Sequence, residues 1–441
     1  MTPIKKYEPL LNQMMQFALN NGCSACKLML GTYEGTKIDI VNGDVDTMKL
    51  SCSNGLLMRI YLPDGRSNSF STNRLDSQEL EQLVLQSIET ARFLAPDAAR
   101  MLPDLDRCYR EGDSEKLDQM DAAFFDHTME EKMALVRYVD GQIADKECLM
   151  HRCVYNDSVS QDLYVTSHGL SLSSCVSQYS LTAMVTLKGL GDDRPDGYEY
   201  CTRITFDELK KGTATLAQKA WQKANAQVAP RVATQGTMKV VVDTHSIFTL
   251  IEPLLDAASG SALRQRNSFL YRMRGHRVGS KLLNLLDLPH KKHTLGARLY
   301  DSEGLATRRR YFFHDGVLRT YFLTTFHANK LRMKPTCDEP SVLVMPNGKH
   351  SLEQLLQTIQ GDGLYITDFI GGNCNPVTGD FSFGITGFTV KDGKIVSPLI
   401  GQNLTGNMLE FWNHLALVGN DADVNSSVQI PSLLFENITI A

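Results

Sequence analysis

The sequence predicts an α+β protein: N-terminal helix-flanked antiparallel sheet layers, then a β-rich, hairpin-built, barrel-like C-terminal domain. Three observations carry this. Segments of helical spacing alternate with short strand-like runs through about residue 230. Met238–Val242 is then a continuous, mostly β-branched run of the kind that forms a buried strand. Beyond Gly296 the pairs Asp315-Gly316 and Asp392-Gly393 separate strand-like runs, a strong signal for two-residue hairpins.

In order, MTPIKKYEPLLNQMMQFALNNG spaces its apolar residues as a surface helix does. Strands are expected at Ile38–Val41, Asp46–Ser53 and Leu56–Tyr61, separated by turns at Asn42-Gly43 and Asn54-Gly55. Asp76 or Ser77 caps a helix carrying Leu80, Leu83, Ile88 and Ala91 at helical spacing. Proline and charge from Pro96 to about residue 118 read as a linker. The order then returns, with a helix over Thr128–Ile143 and strands near Leu149–Tyr155, Asp162–Thr166, Leu170–Gln178 and Leu181–Leu187. A helix over Phe206–Ala226 closes this block. The two blocks read either as a duplication or as two unrelated layers. After Met238–Val242, a helix is expected over Ser246–Ala258, with Gly260 placed to end it. These breaks divide the chain into segments 1–110 and 111–230, parts of one N-terminal unit, and a C-terminal domain 231–441.

With 441 residues, 42% of them hydrophobic, the chain can bury a sizeable core. A formal charge of −5 gives no bulk attraction to nucleic acid or anionic membranes. No run reaches the roughly 18 apolar residues of a membrane span, and no signal-peptide pattern opens the chain, so a cytoplasmic location is expected. The ten cysteines then read as reduced thiols, and Cys23-x-x-Cys26 as buried or turn cysteines. HExxH is absent. His290 and His293 flank two lysines, whose charge opposes a metal. GLGDDRPDG places two acids where a phosphate would need donors, so a solvated loop is favoured. A nucleophile with partners from distant segments stays open. Residues 264–310 hold twelve Lys/Arg against three Asp/Glu. That excess suits an acidic partner or DNA, or simply solvated faces, and the lack of interleaved aromatics weakens nucleic acid.

The most constrained segment is IGGNCNPVTGDFSFGITGF from Ile370. Gly371, Gly372 and Gly379 permit backbone geometries closed to other residues, Asn373 and Asn375 can bind backbone groups, and Pro376 through Asp380 reads as a turn. Two readings stand side by side: a strand edge that accepts an extended peptide, or a tight hairpin with glycines for packing.

GGNCNPVTGDFSFGITGFTVKDGKIVSPL, LVGND at Leu417–Asp421, and SFLYRMRGHRVGSKLLN with HKKHTLGARLYDSEGLATRRRYFFHDGVLRTYF resemble the TldD/TldE (PmbA) family, also labelled modulators of DNA gyrase. The resemblance covers most of the chain and is strongest from about residue 237. TldD-type members carry HExxxH on the helix after the first C-terminal strand, and a cysteine ligand near the C-terminus. Here Ile251 and Glu252 fall at the His-Glu positions and Asp256 at the second His, while VNSSVQIPSLLFENITI has no cysteine. The resemblance therefore implies the metal-less TldE/PmbA type, with no catalytic residues and no metal of its own. It implies a TldD-type partner that holds zinc, small unfolded peptides as substrates, and a homodimer as one state of the isolated chain. The rival readings are a non-proteolytic binding protein using the basic 264–310 segment, and a stand-alone hydrolase with an unrecognised nucleophile.

Overall fold

The structure, a computed structural model, describes residues 3–110, 114–144, 147–229 and 231–441. Its first layer is a six-stranded antiparallel sheet built of β1 (Ala25–Val41), β2 (Asp44–Tyr61), β3 (Ser67–Thr72), β4 (Met150–Thr166), β5 (Ser171–Thr186) and β6 (Asp196–Arg203), in the order β3-β2-β1-β4-β5-β6. The expected order of helix, strands and helix occurs twice, and the inner strands β1 and β4 pair at the centre.

Individual strands are longer than the sequence suggests. Asn42-Gly43 is a turn, with φ of 51° and 86°. Asn54-Gly55 is not: both residues lie within β2 and pair with Thr32 and Gly31. The expected pairs of short strands at 149–166 and at 170–187 are likewise the single strands β4 and β5. The polar stretch that looked like a break in β4 contains Asp157, which is buried and fully engaged. It accepts from Thr36 N at 2.9 Å and Tyr155 Oη at 2.7 Å, and pairs with Lys132 Nζ at 2.7 Å.

Alternation along the strands sorts the two faces. Leu28, Leu30, Ile38 and Ile40 of β1 point to one face. There α1 (Glu8–Asn20) and α2 (Ser77–Arg92) cover one half, and α3 (Met129–Ala144), α4 (Phe206–Gly212) and α5 (Leu216–Ala226) cover the other. The expected helix over 206–226 is thus two, parted by a 3-10 turn at Thr213–Thr215. Met29, Tyr164 and Ser174 point to the opposite face, toward the C-terminal domain.

That domain opens with β7 (Gly236–Val242), α6 (Phe248–Ala257) and α7 (Gly260–Gln265). Gly260 begins a helix rather than ending one. Ser259 caps α7 by accepting from Ala262 N, and a Cβ at Gly260 would fall 2.5 Å from His327 Cβ, so close packing is what demands glycine there. The remaining strands are β8 (Leu285–Asp287), β9 (Arg310–His314), β10 (Val317–Leu318), β11 (Leu343–Val344), β12 (Asp362–Cys374), β13 (Asp380–Lys391), β14 (Lys394–Pro398), β15 (Gln402–Asn407), β16 (Leu415–Val418), β17 (Val428–Gln429) and β18 (Leu433–Ile440). The barrel-like expectation holds: β12-β7-β18-β15-β13 closes through β13–β12 pairing, with β14 and β16 attached outside the ring. A separate five-stranded sheet, β10-β9-β8-β11-β17, lies beside it. Both Asp-Gly pairs form the hairpin turns expected of them, with positive φ at each residue.

Candidate functional site: a cleft between the sheet and helix α6

Helix α6 follows from its apolar spacing. Ile247, Leu250, Ile251, Leu254 and Ala257 recur at three- and four-residue steps. They are packed in one core with Val240, Val242, Ile366, Phe383 and Phe435 of the barrel strands. The opposite stripe, Phe248, Glu252, Leu255, Asp256 and Ser259, lines a cleft of about 810 Å³. Met29, Asp162, Tyr164, Ser174 and Val176 of the helix-free sheet face form its other wall. The loops at 296–302 and 338–341 complete it.

The walls are tied together by contacts between the two units. Tyr164 Oη donates to Glu303 O at 3.0 Å, Gln119 Nε2 to Thr294 O at 3.0 Å, and Tyr109 N to Gly304 O at 3.0 Å. These bonds fix the cleft as part of the fold.

Its chemistry is acidic. Asp162, Glu252, Asp256, Asp301, Asp338 and Glu339 line it, against one base among the described lining residues, Arg298. The Arg298 guanidinium is already engaged with Asp338 Oδ1 at 3.0 Å, Glu339 O at 2.7 Å and Ser341 Oγ at 2.9 Å. Asp162 is open to water inside the cleft yet crowded by protein, and that crowding raises its carboxyl above the usual range. Burial, reinforced by the Asp338 charge, raises Asp301 to about 7.

The three positions matched to the family's metal helix separate here. Ile251 is fully buried in the core, whereas Glu252 and Asp256 face the cleft. The helix thus offers a metal two carboxylates and no nitrogen or sulfur, and no histidine or cysteine is among the described cleft residues. Zinc sites are built chiefly from imidazole and thiolate, so this donor set does not fit zinc. No group of three His, Cys, Asp or Glu suited to a metal occurs among the described residues. His290 and His293 diverge: His290 meets Thr307 Oγ1 at 3.0 Å, and His293 meets Glu208 Oε1 at 2.8 Å. Cys23 and Cys26 are buried free thiols, raised by that burial to about 11 and about 12.

The glycine-rich segment lies outside the cleft lining. Gly371, Gly372 and Asn373 sit at the exposed end of β12. A Cβ at Gly372 would stand 2.2 Å from Ser382 O across the hairpin. Asn375 closes the turn, its Oδ1 accepting from Val377 N at 2.9 Å and Thr378 N at 3.3 Å. Pro376 O accepts from Phe269 N, Gly379 O from Met408 N, and Asp380 Oδ1 from Asn407 Nδ2, each at 2.8 Å. β12 pairs with β7 only over Gly363–Ile366. Beyond that point its outer side meets no strand among the described residues, and Ile370 is 59% exposed. The residue pattern placed the helix, and the resemblance singled out Ile251, Glu252 and Asp256 on it. Sequence reasoning missed Asp162, Arg298, Asp301 and Asp338, which no motif joins.

The comparisons agree with this architecture. Residues 123–228 match the PmbA/TldA metallopeptidase central domain and residues 235–441 its C-terminal domain. A structure from Bacteroides thetaiotaomicron, described as a modulator of DNA gyrase, is 35% identical and superposes with a TM-score of 0.94 over 99% of both chains. The metalloprotease PmbA homolog of Haemophilus influenzae is 26% identical over 99% of this chain and 97% of its own. TldE from Thermococcus kodakarensis, at 17% identity, shares the fold with a TM-score of 0.82 over 98% of this chain and all of its own. The chain belongs to the PmbA/TldD family.

Proposed function

We propose that this chain is a non-catalytic, TldE/PmbA-like subunit of a heterodimeric metallopeptidase that acts on small unfolded peptides in the cytoplasm. In this reading it supplies interface and peptide-channel surface. A TldD-type partner holds the zinc and supplies the metal-activated water that attacks the peptide bond. The observation that carries the reading is α6: the residue at the first ligand position, Ile251, is aliphatic and sunk in the barrel core. The outer side of β12 around Gly371, Gly372 and Asn373, which meets no strand among the described residues, supports peptide capture by added strand pairing. That no helix among the described residues is long and apolar enough to cross a membrane is compatible with the location.

The test is to express the chain alone and with a TldD-type subunit, then measure zinc content and cleavage of an unstructured peptide. The complex should cleave and the isolated chain should not. Stoichiometric zinc in the isolated chain, together with peptidase activity, overturns the proposal.

A further inference from the structure

We infer that the cleft between the sheet and α6 binds cationic peptide segments, with lysine or arginine side chains or a free amino terminus seated among its carboxylates. The inference rests on the peptide-handling reading above and specifies which peptides this subunit holds.

Three observations carry it. The first is enclosure: the cleft of about 810 Å³ is walled by α6, the sheet and two loops, large enough for several residues of an extended chain. The second is charge. Six acidic side chains line it, Arg298 is held by its own neighbours, and Lys27, whose charge is felt by Asp301 and Asp338, lies behind the lining, so Asp162, Glu252 and Asp256 face the space without a basic partner among the described cleft residues. The third is Asp301, only 3% exposed, at the cleft wall. Its Oδ1 accepts from Glu303 N and Leu305 N, both at 2.9 Å, but its Oδ2 has no hydrogen-bond partner. A buried carboxyl oxygen left without a donor is costly, and an arriving ammonium or guanidinium would supply that donor.

A single metal ion is a poorer occupant. The carboxylates are distributed along the walls, and no three of them gather around one point among the described residues. Distributed negative charge suits several cations carried on one chain. Free energy gained at each carboxylate would also be sensitive to salt, because the cleft opens to solvent.

The experiment uses the full chain and two fluorescent unstructured nonapeptides, one lysine-rich and one glutamate-rich, followed by anisotropy. The lysine-rich peptide should bind about tenfold more tightly at low salt, the preference shrinking as salt rises. The double variant Asp162→Asn/Asp256→Asn alters two solvent-accessible cleft residues and should weaken lysine-peptide binding about fivefold. Asp44→Asn/Asp46→Asn removes the same charge from the distant exposed strand β2 and should leave binding unchanged. Equal binding of both peptides, no binding of the lysine-rich one, or equal losses in the two double variants overturns the inference. None of these outcomes touches the subunit proposal, which is decided by the partner's presence and the metal content.

Discussion

The two halves of the N-terminal sheet share one order of elements but not one environment. In the first half, β2 continues past its partner β3 for the whole stretch from Asp44 to Gly55, where its outer edge meets no strand among the described residues and Val45, Met48 and Leu50 are exposed. In the second half, β4 and β5 turn Asp162, Ser174 and Val176 toward the C-terminal domain and build a wall of the cleft. The same local pattern has thus produced a projecting ribbon in one place and a packed wall in the other. What differs is the neighbour, not the strand. Two blocks with one order of elements can thus take different surroundings within a single sheet.

Lys132 on α3 reaches Asp157 in β4, and both are buried. Lys132→Met strands that carboxylate and should cost about 3–5 kcal/mol of unfolding free energy in denaturant titrations. Next in size, a Cβ at Gly197 in β6 would stand 2.3 Å from Ala224 N and 2.4 Å from Ala220 O of α5. Gly197→Ala should cost about 1–3 kcal/mol by forcing the helix off the sheet. Gly55→Ala, in the ribbon, meets no atom within 4 Å and should change stability by less than about 0.5 kcal/mol.

A pH measurement sharpens the contrast further. His245 stands where the second half meets the barrel, its ring edge-on to Tyr200 of β6. The hydrogen bond that its ring donates to the Asp243 carboxylate raises its pKa against the opposing effect of burial, with Lys223 and Glu199 also in its field. A raised folded pKa means its contribution is fully present below about pH 6.5, the unfolded value, and is lost as pH rises through the folded value. Melting temperature should therefore fall on that rise in the native chain, and His245→Gln should flatten the slope. The smallest effect belongs to Leu50→Ser on the ribbon, 73% exposed, expected within about 0.5 kcal/mol.

The legible parts of the fold were those set by local chemistry. Asn42-Gly43, Asp315-Gly316 and Asp392-Gly393 each need positive φ at two successive residues and announced their hairpins. Asn54-Gly55 carries the same letters but lies in a strand, because its partner Gly31 continues the ladder opposite it. Tertiary pairing outvoted the turn signal there, as close packing on His327 outvoted the stop signal at Gly260. The cleft was legible only at α6. Asp162, Arg298, Asp301 and Asp338 come from separate strands and loops, and their convergence is a property of the assembled domains.

The barrel's closure has a kinetic consequence. β7 is hydrogen-bonded on one side to β12 and on the other to β18, so residues nearly two hundred positions apart must meet before the ring exists. Long loops of this kind close slowly, because ordering entropy is spent before the contacts that reward it. Until Leu433–Ile440 docks, β7 and β15 present bare strand edges, and that interval is when a nascent chain of this design is most exposed to aggregation.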